Sequence, residues 1–408
     1  GDTVNRRPSQ PEDFNPRNAM ALFNMGQPEM QSFFWDGRIH RSRKTLRTPA
    51  EDQLPEGLHD PLEAQPLFPI VTNDEFQGTP GSKDIYGLEN RIANLPDTAY
   101  RSAWSRIMKR LLRHKQYREY FVKAFPIDSP EEASIKHVGK AIATYIETAY
   151  TLPDSPWNRY LMGYNGALSK RQKKGAQLFF GKANCSNCHA GRILSDQKPH
   201  NIGVPQLGPG KPPHEPYDLG AFRVTGNEKD KFAFKTSSLH NVAITGPWMH
   251  NGAYKSLEGA VRHHLNPEKS LRNYNKQQLG RDIQKYHRSP NWEHQLDQFP
   301  MGPPGTQLIP TVKDDPESID RVLSTLDPQV QAIPELSDRE VDQIMYFLFS
   351  LTSPSLIMEG YRNQNGKDQN LTQKGRLKAM RMTPYMRSTI PEKTPSGIPA
   401  GCFEEWCK

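Results

Sequence analysis

Cys185-Ser186-Asn187-Cys188-His189 is the stretch that decides how the rest of this 408-residue chain reads. Two thiols three positions apart, followed at once by a histidine, form the attachment signature of a c-type haem. The spacing has a chemical reason. The sulfurs form thioethers with the haem vinyl groups, and the short turn between them carries His189 beneath the iron as an axial ligand. A structural zinc site would want a second cysteine pair at similar spacing. The other two cysteines, Cys402 and Cys407, stand together at the far end instead. A thioredoxin-like pair would open a helix after a strand and has no need of the histidine.

Working outward, Ser169-Lys170-Arg171-Gln172 is a capping box. The helix it opens carries Gly175, Leu178, Phe179 and Phe180 straight into the haem motif. Far downstream, a helix from Ser337-Asp338-Arg339-Glu340 to Leu351 sets Val341, Ile344, Met345 and Leu348 on one face. In cytochrome c domains the first and last helices cross, so residues 166–353 are expected to form one such domain with long insertions. Further upstream, Ala99 to about Phe125 reads as a single helix stopped by Pro126. Ser129-Pro130-Glu131-Glu132 reads as the cap of the next, whose apolar stripe is Ile135, Val138, Ile142 and Ile146. Residues 1–95 read as loop-rich structure with short helices, in which Phe33-Phe34-Trp35-Asp36-Gly37-Arg38 suggests core packing with a surface ion pair. Residues 267–332 are polar and proline-rich and read as an excursion over the surface; the tail from Pro354 is expected to wrap or fray.

Composition sets the outer limits. The length suffices for two domains, and the modest apolar content with 36 prolines and 29 glycines suggests helices joined by long ordered loops. No run of 18 apolar residues occurs, so no membrane-spanning helix is expected. The chain opens Gly1-Asp2-Thr3-Val4 without a signal peptide, as a mature or trimmed product would. Haem attachment fits an oxidising compartment, the periplasm or the extracellular space, where Cys402 and Cys407 are either a disulfide or two free thiols. The net charge of +8 either steers an acidic redox partner or keeps the chain soluble. Nucleic acid is a poor reading. The densest basic cluster, Lys109 to Lys115, interleaves with apolar residues as the wet side of an amphipathic helix does.

Assembled in order, several stretches carry a resemblance. They are Trp35-Asp36-Gly37-Arg38, Gln65 and Glu75, the haem motif, His200 to Pro205, Phe234 to Val242, and Pro247 to Gly252. Over about residues 15–352 the chain resembles the bacterial di-haem cytochrome c peroxidase and MauG superfamily. The resemblance implies a mainly α fold of two cytochrome c-like lobes with long loops, each lobe with its own haem and a calcium ion between them. Residues 1–165 would be the N-terminal lobe, residues 166–353 the C-terminal lobe and residues 354–408 an extension. Only one haem motif is present, so the N-terminal lobe is expected to be incomplete, with its haem segment upstream. The other reading is a branch with one covalent haem.

By the same resemblance, Cys185 and Cys188 hold the second-lobe haem between His189 and His264, the eighth residue of Leu257–His264. The residues alone leave open that His263 or His264 is a polar residue on a helix, with Met249 or Met301 as the second ligand. Trp35 matches the tryptophan that bridges the haems. Gln65 and Glu75 match the distal pair of the peroxide-reacting haem, the carboxylate moving a proton and the amide orienting the oxygen ligand. The Asn18 side chain and the carbonyls of Thr245 and Pro247 match the calcium site. His240 stands where the family generally has arginine, so the resemblance implies no arginine contact to a haem propionate there. The implied activity is oxidation by hydrogen peroxide, with electrons from a small c-type cytochrome, a cupredoxin or a side chain of a protein substrate. The competing expectations are a monohaem electron carrier and an inactive scaffold.

Overall fold

The computed structural model describes residues 17–43, 45–84, 87–207, 210, 217–275, 316–354 and 356. Met301, Cys402, Cys407 and almost all of the 354–408 extension lie outside them. The described residues are helix-rich with few strands. Helices of eight or more residues are α1 (Tyr100–Leu111), α2 (Lys115–Ala124), α3 (Ile135–Ala149), α4 (Lys170–Phe180), α5 (Leu257–Leu265), α6 (Pro316–Leu323) and α7 (Asp338–Phe349). The strands β1 (Ser32–Phe33), β2 (Ile39–Ser42) and β3 (Thr45–Arg47) make an antiparallel meander. A separate pair, β4 (Pro199–His200) and β5 (Phe234–Lys235), sets His200 opposite Phe234.

The helix expected over 99–125 is broken in two, and helical geometry explains why. The buried face of α1 runs through Trp104 and Met108. At 100° per residue, Phe121 would point about 220° away from Met108 on an unbroken helix. The kink at Leu112–His114 brings Phe121 back into the core. The Ser129 capping box caps only the turn Pro130–Glu132, and α3 begins at Ile135 under its own cap, Ser134. Ile135 and Ile146 are buried as the stripe predicts, whereas Ile142 is 36% exposed and Ala143 faces inward instead. Gly139 explains the shift. A methyl there would overlap the Glu63 carbonyl, so α3 lies against the turn Pro61–Ala64 on this small-residue face.

Two main cores form. One gathers Phe33, Ile39, Leu62, Leu67, Trp104 and Ile146, with the Trp104 indole donating to the Leu67 carbonyl at 2.9 Å. The other gathers Phe179, Leu194, Ile344, Phe347 and Leu351 around the crossing of α4 and α7. Both of those helices start at the predicted capping boxes. Their contact is close because Gly175 meets the Gln343 carbonyl with no room for a side chain.

Two expectations are corrected. The stretch 267–332 is not wholly a surface excursion: Leu271, Ile319 and Val322 are buried with Leu219 and Phe232 in a satellite core. Asp36 is not in a surface ion pair. It is buried, and it shares Arg17 with Asp218, which lies 201 residues beyond that arginine in the chain.

Candidate functional site

The haem motif forms a tight turn. Asn184 takes the left-handed conformation, Cys185–Asn187 make one 3-10 turn, and the His189 amide donates to the Cys185 carbonyl at 2.9 Å. This turn brings Cys185, Cys188 and His189 to one cavity, whose opposite wall is α5 with His264. The ring centres of His189 and His264 are 6.5 Å apart. Each Nδ1 is engaged with a carbonyl, that of Leu194 at 3.0 Å and that of Ala260 at 2.8 Å. Both Nε2 atoms are thereby left for the cavity. Burial, and for His189 then the neighbouring His264, lowers the proton affinity of both rings, that of His189 to about 4. Neutral imidazoles are what an iron needs. Two metal–imidazole bonds of about 2 Å would place the ring centres roughly 6.3 Å apart, so the observed separation fits an iron between them.

The neighbouring side chains separate from His264 on geometry. His263, adjacent to His264, is fully buried on the other side of α5. It uses both nitrogens there, with Tyr254 Oη at 2.9 Å and the Ile202 carbonyl at 2.7 Å. Met249 reaches the cavity wall, but it is His264 that faces His189. The Cys185 thiol is pushed up to about 12 by burial, and Cys188 then adds to the rise. A thiol held neutral against an apolar wall suits a thioether rather than a thiolate metal site. Cys188, Asp196 and His200 also cluster within metal-binding range. Yet both His200 nitrogens are taken by carboxylates, Asp327 at 2.6 Å and Asp196 at 2.9 Å, which leaves no lone pair for a cation.

A segment from the N-terminal part closes the cavity. Asn18 and Trp35 line it together with Thr245 and Pro247. The Trp35 indole donates to the Asn18 carbonyl at 2.8 Å, and its ring centre lies 6.5 Å from that of His250. The Asn18 amide meets the Pro247 carbonyl at 2.7 Å. Rotating that amide by half a turn would place two oxygens side by side in the same space. Arg17 anchors the segment by a fork of 2.6 and 2.8 Å to Asp218 and a 2.5 Å contact with Asp36.

Residues 2–166 match the family model described as di-haem cytochrome c peroxidase. The chain is a relative of the di-haem cytochrome c peroxidases and of MauG. It is 30% identical over 246 residues to the cytochrome c551 peroxidase of Pseudomonas aeruginosa, covering 60% of this chain and 57% of that protein. With the MauG of Methylorubrum extorquens it shares 31% identity over 213 residues, 52% of this chain and 50% of that one. With the cytochrome c peroxidase Ccp of Escherichia coli it shares 35% over 162 residues, 39% and 33% of the two chains. The chain thus spans a third to somewhat over half the length of these curated relatives. In fold it is similar to the diheme peroxidase BthA of Burkholderia thailandensis, with a TM-score of 0.52, 18% identity, and coverage of 85% of this chain and 74% of that one.

Other predicted residues of this di-haem peroxidase relative lie elsewhere. Gln65 is half-buried at the start of the 3-10 turn Gln65–Leu67, and Glu75 is exposed on the turn Asn73–Gln77. Both belong to the first core's side of the molecule, and neither lines the His189–His264 cavity. His240 lies on the cavity wall and is buried, with Nε2 on the Arg192 carbonyl at 2.8 Å. Burial lowers its proton affinity, so it supplies no cation there. The sequence reading missed His250, which stacks on Phe234 with ring centres 3.4 Å apart and packs against Trp35. It also missed Lys235. Both residues sit within stretches that carry the resemblance, but nothing in their spacing marks them.

Proposed function

We propose that this protein is a haem oxidoreductase of the di-haem peroxidase and MauG type that uses hydrogen peroxide outside the cytoplasm. The observation that carries the reading is the facing pair His189 and His264 above two thiols, with Trp35 on the same cavity wall. Cys185 and Cys188 would tether a haem c and the two imidazoles would hold its iron. Bound there, the group would store and pass single electrons at a low potential, as two imidazole ligands dictate. Residues 1–165 and 166–353 would be the two cytochrome c-like lobes.

Hydrogen peroxide takes up two electrons and two protons to give two waters. Glu75 would hold and deliver a proton where peroxide reacts, and the Gln65 amide would orient the oxygen. That site belongs to a second haem, expected upstream of the Arg17-Asn18 stretch. Trp35, on the cavity wall with its indole N–H held by a carbonyl, would relay an electron between the two centres. Asn18 Oδ1 and the Thr245 and Pro247 carbonyls are hard oxygen donors suited to calcium. Electrons would come from a small c-type cytochrome or cupredoxin, or from a side chain of a protein substrate. Among the described residues no helix is long and apolar enough to cross a membrane.

The test is a pyridine haemochrome assay on full-length protein from its native source, with peroxide turnover measured beside it. Two haems per chain and peroxide consumed against a reduced cytochrome are expected. One haem and no turnover would replace this reading with that of an electron carrier. His264→Ala is expected to turn the second-lobe haem high-spin; an unchanged low-spin spectrum would remove His264 as a ligand.

A further inference from the structure

The cavity that holds His189 and His264 is walled by apolar side chains, imidazoles and small polar groups. Among the described residues that line it, one is a lysine or arginine: Lys235. It sits at the end of β5, and its backbone amide donates to the Trp35 carbonyl at 2.7 Å. The side chain is 3% exposed, and its one hydrogen bond among the described residues is a long 3.4 Å contact from Nζ to the Thr236 carbonyl. Asp196, the nearest acid acting on it, is already bonded to His200.

A buried ammonium without an anion is costly by several kcal/mol. The ordinary resolutions are an anionic partner or loss of the proton. Burial does weaken the proton's hold, lowering Lys235 to about 8 against a small opposing pull from Asp196. Among the described residues no carboxylate side chain is hydrogen-bonded or ion-paired to it. The other basic groups on the wall are unsuited to an added anion. His240 is neutral, and His200 already carries two carboxylates of its own.

We propose that Lys235 is the counter-ion of a haem propionate at this site, joining that carboxylate to the backbone that carries Trp35. The inference rests on the haem assignment made above. A propionate is the anion a haem brings into such a cavity, and an amine held at its wall is a point-charge partner for it. The pairing would offset the negative charge at the edge of the ring and tie that edge to the Trp35 backbone. It makes Lys235 a positioning residue and no part of the peroxide chemistry.

The experiment uses the haem-loaded full chain and compares Lys235→Met, Lys235→Arg and, as a control, the exposed Lys174→Met. Loss of the positive charge favours the ferric state. Lys235→Met is therefore expected to lower the midpoint potential of the His189/His264 haem and to shift its propionate bending bands in resonance Raman spectra. Lys235→Arg should keep both near the parent values, and Lys174→Met should change neither. A Lys235→Met protein with parental potential and bands overturns the proposal. If Lys235→Met fails to load haem, Lys235→Arg decides. Loading with parental bands upholds the charge pairing, and failure of both overturns it in favour of a purely structural lysine. Parent protein without covalent haem would refute the haem assignment itself, a result distinct from all of these.

Discussion

Replacing Arg17 with methionine should destabilise the protein more than any surface change, because it removes the cation shared by two buried carboxylates. Arg17 is 5% exposed in its side chain, Asp36 3% and Asp218 6%. Asp36 would keep Arg38 at 3.0 Å, but the Asp218 carboxylate would be left with the Gly220 amide at 3.1 Å as its hydrogen-bond donor among the described residues. Burial by itself would raise both carboxyls. Arg17, with Arg38 at Asp36, overcomes that and holds Asp36 well below the usual carboxylate range and Asp218 at about 2 against 3.8. For Asp218 alone that shift corresponds to about 2 kcal/mol, and breaking a buried pair by removing one partner costs about 3–5 kcal/mol. The sign with pH follows. A depressed carboxyl contributes fully above 3.8 and loses its contribution as pH falls towards 2. The gap between parent and Arg17→Met should therefore be widest at pH 7 and narrow below pH 4. Urea unfolding followed by far-ultraviolet circular dichroism at pH 7, 5 and 3.5 measures it. A loss under about 1 kcal/mol at pH 7, or a gap that stays constant down to pH 3.5, refutes the reasoning. The double variant Arg17→Met with Asp218→Leu should recover most of the stability, since an apolar pair avoids the uncompensated charge.

Gly175→Ala should cost about 1–3 kcal/mol in the same unfolding assay, because its methyl would overlap the Gln343 carbonyl and force α4 away from α7. Glu75→Gln should lower peroxide turnover by about 100-fold to 10,000-fold while leaving the spectrum of the His189/His264 haem unchanged. Full turnover in that variant would remove Glu75 from the chemistry. Asn18→Ala should abolish any calcium-dependent gain in melting temperature, since it deletes the side-chain amide, which now donates through Nδ2 to the Pro247 carbonyl and whose own oxygen would serve the ion after a half-turn. An undiminished gain would place the ion elsewhere.

The sequence by itself determined what covalent chemistry and local geometry dictate. Two thiols and a histidine at fixed spacing specify a haem wherever the turn lies, because the reacting atoms are all within five residues. The capping boxes at Ser169 and Ser337 fixed the starts of α4 and α7, since a cap is satisfied within its own first turn. The resemblance, carried by short stretches in order, pointed to His264 and Trp35, and both stand on the haem-motif cavity.

Tertiary structure decided what depends on contacts across the chain. The helix over 99–125 broke because Phe121 has a core to reach, and nothing in a local window reveals where that core is. Asp36 read as a surface residue because its partner, Arg17, is itself drawn into the interior by Asp218, 201 residues from that arginine. His263 and His264 are equivalent on paper. They part company because α5 turns one towards Tyr254 and Ile202 and the other towards His189. Lys235 was silent for the same reason: whether a lysine is solvated or buried is a property of what folds over it, and in this chain that is the strand pairing and the backbone of Trp35.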